Sequence, residues 1–184
     1  MKLSDIPFED EALRAAVLAT GVETAEEVLE IRARKCQIEK ASGLENFPNL
    51  KLLDLTRNRL TEIDLSGNPN LEEVYLGNNE LEEIDFSANK KLSHVEVFIN
   101  DLSELDLSSL ALLENLYASK NDLTELDLSN NPKIEQIQVS DNELESLILP
   151  DECKPFAIKI ENTKLDDITR EKLQTLVSAH NLKM

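Results

Sequence analysis

Residues 71–91 read Leu71-Glu72-Glu73-Val74-Tyr75-Leu76-Gly77-Asn78-Asn79-Glu80-Leu81-Glu82-Glu83-Ile84-Asp85-Phe86-Ser87-Ala88-Asn89-Lys90-Lys91. Apolar residues stand at Leu71, Val74 and Leu76, then at Leu81, Ile84 and Phe86, with Asn79 between the two groups. Moving 21 residues in either direction recovers the same arrangement, and Asn58, Asn79, Asn100, Asn121 and Asn142 keep that spacing without a slip. Leu50, Leu71, Leu92, Leu113 and Ile134 open the five units. Self-similarity at a period of roughly 20–50 residues is the signature of a stacked repeat, in which each unit buries its apolar edge only against its neighbours.

The residue types follow from that geometry. In Val74-Tyr75-Leu76 and its equivalents the alternation sends two side chains inward from a short strand and the middle one outward. Stacked strands pair into a parallel sheet along one face of a curved solenoid. An Asn after the strand turns the chain, its amide bonding backbone groups that the turn leaves unpaired. The second half of each unit repeats the theme with Ile63, Ile84, Leu105, Leu126 and Leu147, followed by Leu65, Phe86, Leu107, Leu128 and Leu149.

Both ends need caps, and both are readable. Val28, Ile31, Ala33, Cys36 and Ile38 fit the template, with Cys36 where Asn belongs and therefore expected as a small core residue. Before them Leu13, Ala16 and Val17 make a helical stripe ending near Gly21, and Thr24 with Glu27 resembles a capping box. At the other end Ile158, Ile160, Thr163 and Leu165 form a half-coil. Residues 166–180 then carry Ile168, Leu173, Leu176, Val177 and His180 at helical spacing. The expected organisation is one continuous domain: residues 1–49 as helical cap and irregular first repeat, 50–154 as five repeats, and 155–184 as half-repeat and closing helix.

Composition excludes several classes. The 184-residue chain has 37 Asp+Glu against 19 Lys+Arg, a net charge of −18, which would repel nucleic-acid phosphates over most of the surface. Its 32 leucines exclude an acidic disordered chain. No apolar run approaches the roughly 18 residues of a membrane span, and the N-terminus lacks an apolar secretion core. No membrane insertion is expected, and the sequence is compatible with a chain that is cytoplasmic or exported with its signal outside this sequence.

The start Ile6-Pro7-Phe8-Glu9-Asp10-Glu11-Ala12-Leu13, the segment Gly43-Leu44-Glu45-Asn46-Phe47-Pro48-Asn49-Leu50 and the Leu-Asp-Leu-Ser-x-Asn units resemble bacterial leucine-rich-repeat proteins of the internalin type. The 21-residue unit is similar to the internalin J-like subgroup. The resemblance implies an α/β repeat fold: a right-handed leucine-rich-repeat solenoid with a parallel β-sheet on its concave face and helical caps at both ends. It also implies recognition of a partner protein, often at a host or cell surface. Where that subgroup often carries Cys in the strand, this chain has Leu55, Leu76, Val97, Ala118 and Val139, and neither a wall-anchoring tail nor an immunoglobulin-like module follows its repeats.

Catalytic chemistry finds no foothold. The four glycines do not cluster into a phosphate loop, and His94 and His180 lack ligand-spaced neighbours. Cys36 and Cys153 sit about five coils apart, on the order of 24 Å at one strand spacing per coil, beyond disulfide reach. No catalytic residue, cofactor or metal is expected. Asp64, Asp85, Asp106 and Asp127 stack in one column, each with a Ser two residues on. Such a column either holds a cation or faces solvent, the solvated column being favoured because no oxygen-rich loop accompanies it.

Function lies in the outward strand positions. One column reads Arg32, Asp54, Tyr75, Glu96, Tyr117, Gln138, Lys159, and holds both tyrosines of the chain. Two residues earlier stand Glu30, Leu52, Glu73, His94, Asn115 and Gln136; just after the strand come Phe98-Ile99 and Ser119-Lys120 at positions polar or small in most coils. Apolar and aromatic residues on a rigid open sheet suit a binding hot spot. The expected partner-binding residues are Tyr75, His94, Glu96, Phe98, Ile99, Tyr117, Lys120 and Gln138. A basic patch of Arg32, Arg34, Lys35, Arg57 and Arg59 either receives an acidic loop or balances local acids. The expectation is a non-enzymatic module, monomeric, that recognises another protein through its concave face. The alternatives are the repeat-bearing part of a secreted or surface adhesin or effector, or a structural or engineered scaffold.

Charge agrees with this division of labour. Residues 61–152 hold 22 acidic and 4 basic side chains, yet only Glu73, Glu96 and Asp141 of those acids fall in the concave columns.

Overall fold

The structure, a computed structural model, describes residues 1–151 and 153–181, the last four by backbone alone. The reading of His180 as a helix-face residue therefore falls outside the described side chains. Strands β1 (Glu30–Arg32), β2 (Leu52–Asp54), β3 (Glu73–Tyr75), β4 (His94–Glu96), β5 (Asn115–Tyr117), β6 (Glu125–Asp127), β7 (Gln136–Gln138), β8 (Ser146–Ile148) and β9 (Ala157–Lys159) are three residues each. Seven of them form one parallel sheet in the order β1-β2-β3-β4-β5-β7-β9, while β6 and β8 pair separately. Register follows the repeat: Val74 pairs with Val95, Val95 with Leu116, and Leu116 with Ile137.

The inward column packs the centre of each coil. Val74, Leu76, Leu81 and Phe86 are buried, as are their equivalents Val95, Val97, Leu102 and Leu107 in the next coil. The Asn after the strand ties successive coils together. Asn79 Nδ2 donates to the carbonyls of Leu55 (3.1 Å) and Leu76 (2.8 Å), and its Oδ1 accepts from the Leu60 N–H at 3.2 Å. Asn100, Asn121 and Asn142 repeat this three-bond pattern. A second buried row, Asn68, Asn89 and Asn131, donates in the same way but leaves each Oδ1 without a partner among the described residues. In the intervening coil Leu110 takes that place.

After each strand of the seven-stranded sheet the chain turns through a left-handed residue: Lys35, Arg57, Asn78, Ile99, Lys120, Asp141 and Asn162 all have φ between +53° and +61°. Only one of them, Ile99, is β-branched, the side-chain type least suited to that region.

At the N-terminal end, helix α1 (Glu11–Leu18) buries Leu13 and Val17. Asp10 caps it, one carboxylate oxygen accepting from the N–H groups of Ala12 (2.9 Å) and Leu13 (3.0 Å), the other from Glu39 at 2.9 Å. That last bond joins cap to first coil. Thr24 and Glu27 form the expected capping box, here on a single 3-10 turn. Cys36 departs from expectation: it is exposed, because Asn58 of the following coil, through its Oδ1, accepts from the N–H groups of Cys36 (3.0 Å) and Ile38 (3.1 Å) and fills the turn from above. Cys153 is buried.

At the C-terminal end, helix α2 (Asp167–Asn181) packs on β9. Of its expected stripe, Leu173 is buried, whereas Ile168 is 67% exposed and Leu176 is also exposed. Ile168 lies about 140° round the helix from Leu173 at roughly 3.6 residues per turn, so the helix turns it away from the last half-coil. Arg170 anchors it, its guanidinium donating to the carbonyls of Leu165 (2.9 Å), Ile160 (3.3 Å) and Thr163. Among the described residues no helix is long and apolar enough to cross a membrane.

Candidate functional site

Strand alternation lifts Glu73 and Tyr75 from β3, His94 and Glu96 from β4, and Tyr117 from β5 onto the same face, opposite the buried Val74, Val95 and Leu116. In-register pairing sets His94 diagonally between the two tyrosines. Its ring centroid lies 4.8 Å from that of Tyr75 and 5.3 Å from that of Tyr117, each pair tilted by 35°. Such offset contacts are favoured by the ring quadrupoles and hold the three side chains in place.

The acids on this face are already engaged. The Tyr75 hydroxyl donates to Glu73 at 2.6 Å, and His94 Nε2 lies 3.1 Å from Glu96 Oε1. Burial, and then the bond to Glu73, push the Tyr75 phenol far up from its ordinary value. Burial and the nearby Glu96 charge raise Tyr117 as well. Both phenols are neutral at physiological pH and present aromatic rather than anionic surface.

Beyond the strands the chain opens a groove of about 340 Å³ between the coils of β4, β5 and β7. Glu96, Phe98, Ile99, Tyr117, Lys120 and Gln138 line it, together with Ser119. These are six of the residues expected from the sequence, and the remaining two, Tyr75 and His94, adjoin through the ring contacts above. Phe98 is half-buried because its ring leans back on the preceding coil at Gly77, where an added Cβ would stand 2.4 Å from Cε1. Ile99 is 39% exposed. The role of Gly77 was not anticipated; a glycine in a column otherwise holding Arg34, Thr56, Phe98, Ser119 and Ser140 was its signal.

The basic patch divides. Arg32 pairs with Glu30 at 3.0 Å and Arg59 with Glu39 at 3.4 Å. Arg34 pairs with Asp54 and reaches over the Tyr75 ring, 5.9 Å from its centroid. Asp54, expected among the outward residues, is consequently only 1% exposed, capped by Arg34 and by Thr56, whose hydroxyl (2.8 Å) and N–H (3.2 Å) also donate to it. Lys35 and Arg57 are exposed, and no hydrogen bond or ion pair engages their side chains among the described residues.

The aspartate column serves its own turns. Asp64, Asp85, Asp106 and Asp127 each accept from the N–H of the serine two residues on, at 2.8, 2.7, 2.9 and 2.8 Å. At Asp64 and Asp127 the serine hydroxyl and then its N–H hold the carboxyl below its ordinary value; at Asp85 and Asp106 the order is reversed. Among the described residues no group of three or more His, Cys, Asp or Glu is placed to hold a metal ion. A second depression, of about 320 Å³, lies beside β6 and β8 and is lined by Glu104, Asp106, Glu125 and Asp127 among others.

A parallel sheet built from 21-residue coils and stitched by an Asn row is a leucine-rich-repeat solenoid. Residues 48–89 match the family model for leucine-rich repeats (2 copies). In fold the chain is similar to bacterial internalins. It shares 21% identity with the functional domain of InlJ from Listeria monocytogenes, at a TM-score of 0.73, over 92% of this chain and 49% of that one. It shares 22% identity with the internalin InlF from Listeria monocytogenes, at a TM-score of 0.71, over 78% of this chain and 46% of that one. The same fold recurs in the LRIM1/APL1C complex, with 24% identity, a TM-score of 0.68, and 75% of this chain against 27% of that one. The chain thus spans less than half the length of each of these structures. The InlJ domain includes a cysteine ladder; with two cysteines, this chain has none. No curated protein matches the chain.

Proposed function

We propose that this solenoid is a non-enzymatic protein-recognition module that binds its partner on the concave face, through Tyr75, His94, Phe98, Ile99 and Tyr117, with Glu96, Lys120 and Gln138 at the edge of the contact. One observation carries the reading: the only non-repeating apolar side chains after the strands, Phe98 and Ile99, stand beside the aromatic trio and share a groove with Tyr117. Repeat positions build the coil; departures from the repeat that do not improve the coil point to another use. Ile99 is such a departure, since a β-branched residue at φ +53° costs stability rather than adding it. Glu73 and Glu96 support the reading because each engages a neighbouring ring, the Tyr75 hydroxyl and His94 Nε2, and so helps to hold the aromatic surface in place.

The test is an affinity pull-down with the intact chain, repeated with Phe98→Ala/Tyr117→Ala. The double variant keeps the melting curve of the parent and loses the partner. Equal capture by both proteins would sink the proposal.

A further inference from the structure

Resting on the concave-face reading, the rim beside the sheet bears on the chemistry of the partner. Along the rim just beyond the sheet, the left-handed position of successive coils carries Lys35, Arg57, Asn78, Ile99 and Lys120, with Asp141 and Asn162 beyond them. The three cations in this row have no side-chain hydrogen bond or ion pair among the described residues, in a chain where acids outnumber bases 37 to 19. In the same coils Arg34 is matched by Asp54, Arg59 by Glu39 and Lys51 by Glu72. Unmatched cations along this rim, on both sides of an exposed apolar residue, make a surface complementary to acid, apolar, acid.

We infer that the partner presents an extended acidic segment with one apolar anchor, laid across the coils along this rim. The anchor enters the groove at Phe98, Ile99 and Tyr117, and flanking carboxylates meet Arg57 and Lys120. The spacing can be read from the coil. Arg57 and Ile99 are two coils apart, about 10 Å at one strand spacing per coil, and Lys120 lies about 5 Å further. An extended chain advances about 3.3 Å per residue. The motif is therefore an acid, an apolar residue about three positions on, and a second acid one or two positions after that. Lys35, one coil before Arg57, extends the preference for acid at the near end. The −18 charge does not forbid this: residues 28–60 carry a local net +3, and charges further off are screened beyond about 10 Å at 0.1 M salt.

The experiment is selection of random octapeptides displayed on phage against the immobilised intact chain, Phe98→Ala and Lys35→Glu/Arg57→Glu. The intact chain enriches Asp or Glu with Leu, Ile, Phe or Met about three positions on. The charge-reversed protein loses the acidic preference, and Phe98→Ala loses the apolar one. A labelled Asp-Ser-Ser-Leu-Ser-Asp peptide binds Lys35→Glu/Arg57→Glu at least about tenfold more weakly than the parent, and its affinity for the parent falls as salt rises. Arg57→Gln repeats the direction with a smaller loss and guards against misfolding of the reversed variant. No enrichment, a cationic consensus, or unchanged affinity after charge reversal overturns the inference. A pool that depends on Phe98 but lacks acids overturns this inference alone; a pool indifferent to Phe98 overturns the concave-face reading with it.

Discussion

The ring of Phe98 stands on Gly77 of the preceding coil, so close that a Cβ there would lie 2.4 Å from Cε1 and 2.5 Å from Cζ. The contact shapes the groove, because it fixes which way the one aromatic side chain of its column faces. In Gly77→Ala the backbone keeps its path and the ring must swing away, since the obstructed atoms are the far end of a side chain. We predict a stability loss below about 1.5 kcal/mol together with a larger proportional loss of partner affinity. Thermal unfolding and a binding titration on the same preparation check it, and a large fall in melting temperature would contradict it.

Ile99 holds φ +53° where the same position elsewhere carries Asn78, Lys120, Asp141 or Asn162. Asn tolerates the left-handed region far better than a β-branched residue. Ile99→Asn is therefore expected to stabilise the fold by about 1 kcal/mol while weakening the partner. Urea unfolding measures the first effect. A destabilised Ile99→Asn would mean that the side chain serves packing instead.

The two asparagine rows differ in what their removal leaves behind. Asn100 makes bonds of 3.0, 3.1 and 3.1 Å to Val97, Leu76 and Leu81, all buried. Asn100→Ala strands the Leu81 N–H, while the Leu76 and Val97 carbonyls keep their bonds from Asn79 and Asn121, and should cost about 1–3 kcal/mol. Asn89 makes two such bonds but leaves its own Oδ1 without a partner among the described residues, and the next coil tolerates Leu110 in that place. Asn89→Leu should cost clearly less. Chemical denaturation of the two variants side by side decides the ranking.

Acid reaches the N-terminal cap through Asp10. Burial pushes its carboxyl up, but the N–H groups of Glu39, Leu13 and Ala12 outweigh it and hold the group below its ordinary value. A depressed carboxylate contributes stability above its unfolded-state pKa of about 3.9, and that contribution is lost as pH falls through the lower folded value. Asp10→Ala should thus cost about 1 kcal/mol at pH 7. The gap to the parent should narrow near pH 2; a gap that widens in acid would reverse the sign of the argument.

The coil was legible because its residue types are forced. An inward Leu, Val or Phe every 21 residues and a turn-closing Asn leave few other folds, and the face shared by Tyr75, His94, Glu96 and Tyr117 follows from strand alternation alone. What escaped the sequence depends on neighbouring coils rather than on the repeat. Asp54 occupies an outward position yet is buried, because Arg34 of the coil before it reaches across. Cys36 sits at a core position yet is exposed, because Asn58 closes its turn from the next coil. Ile168, by contrast, faces outward because five residues at roughly 3.6 per turn place it about 140° round α2 from the buried Leu173. The strain at Ile99 was half visible: Asn78, Asp141 and Asn162 in one column already mark a left-handed turn.

The most direct test of the central claim is a map of amide chemical-shift changes when the captured partner, or its selected peptide, is titrated into the labelled intact chain. The account predicts changes concentrated at Tyr75, His94 to Ile99, and Tyr117 to Lys120, with little effect beside Asp106, Asp127 and Ile148. Changes centred on that second, acid-lined depression, with the concave residues silent, would contradict it.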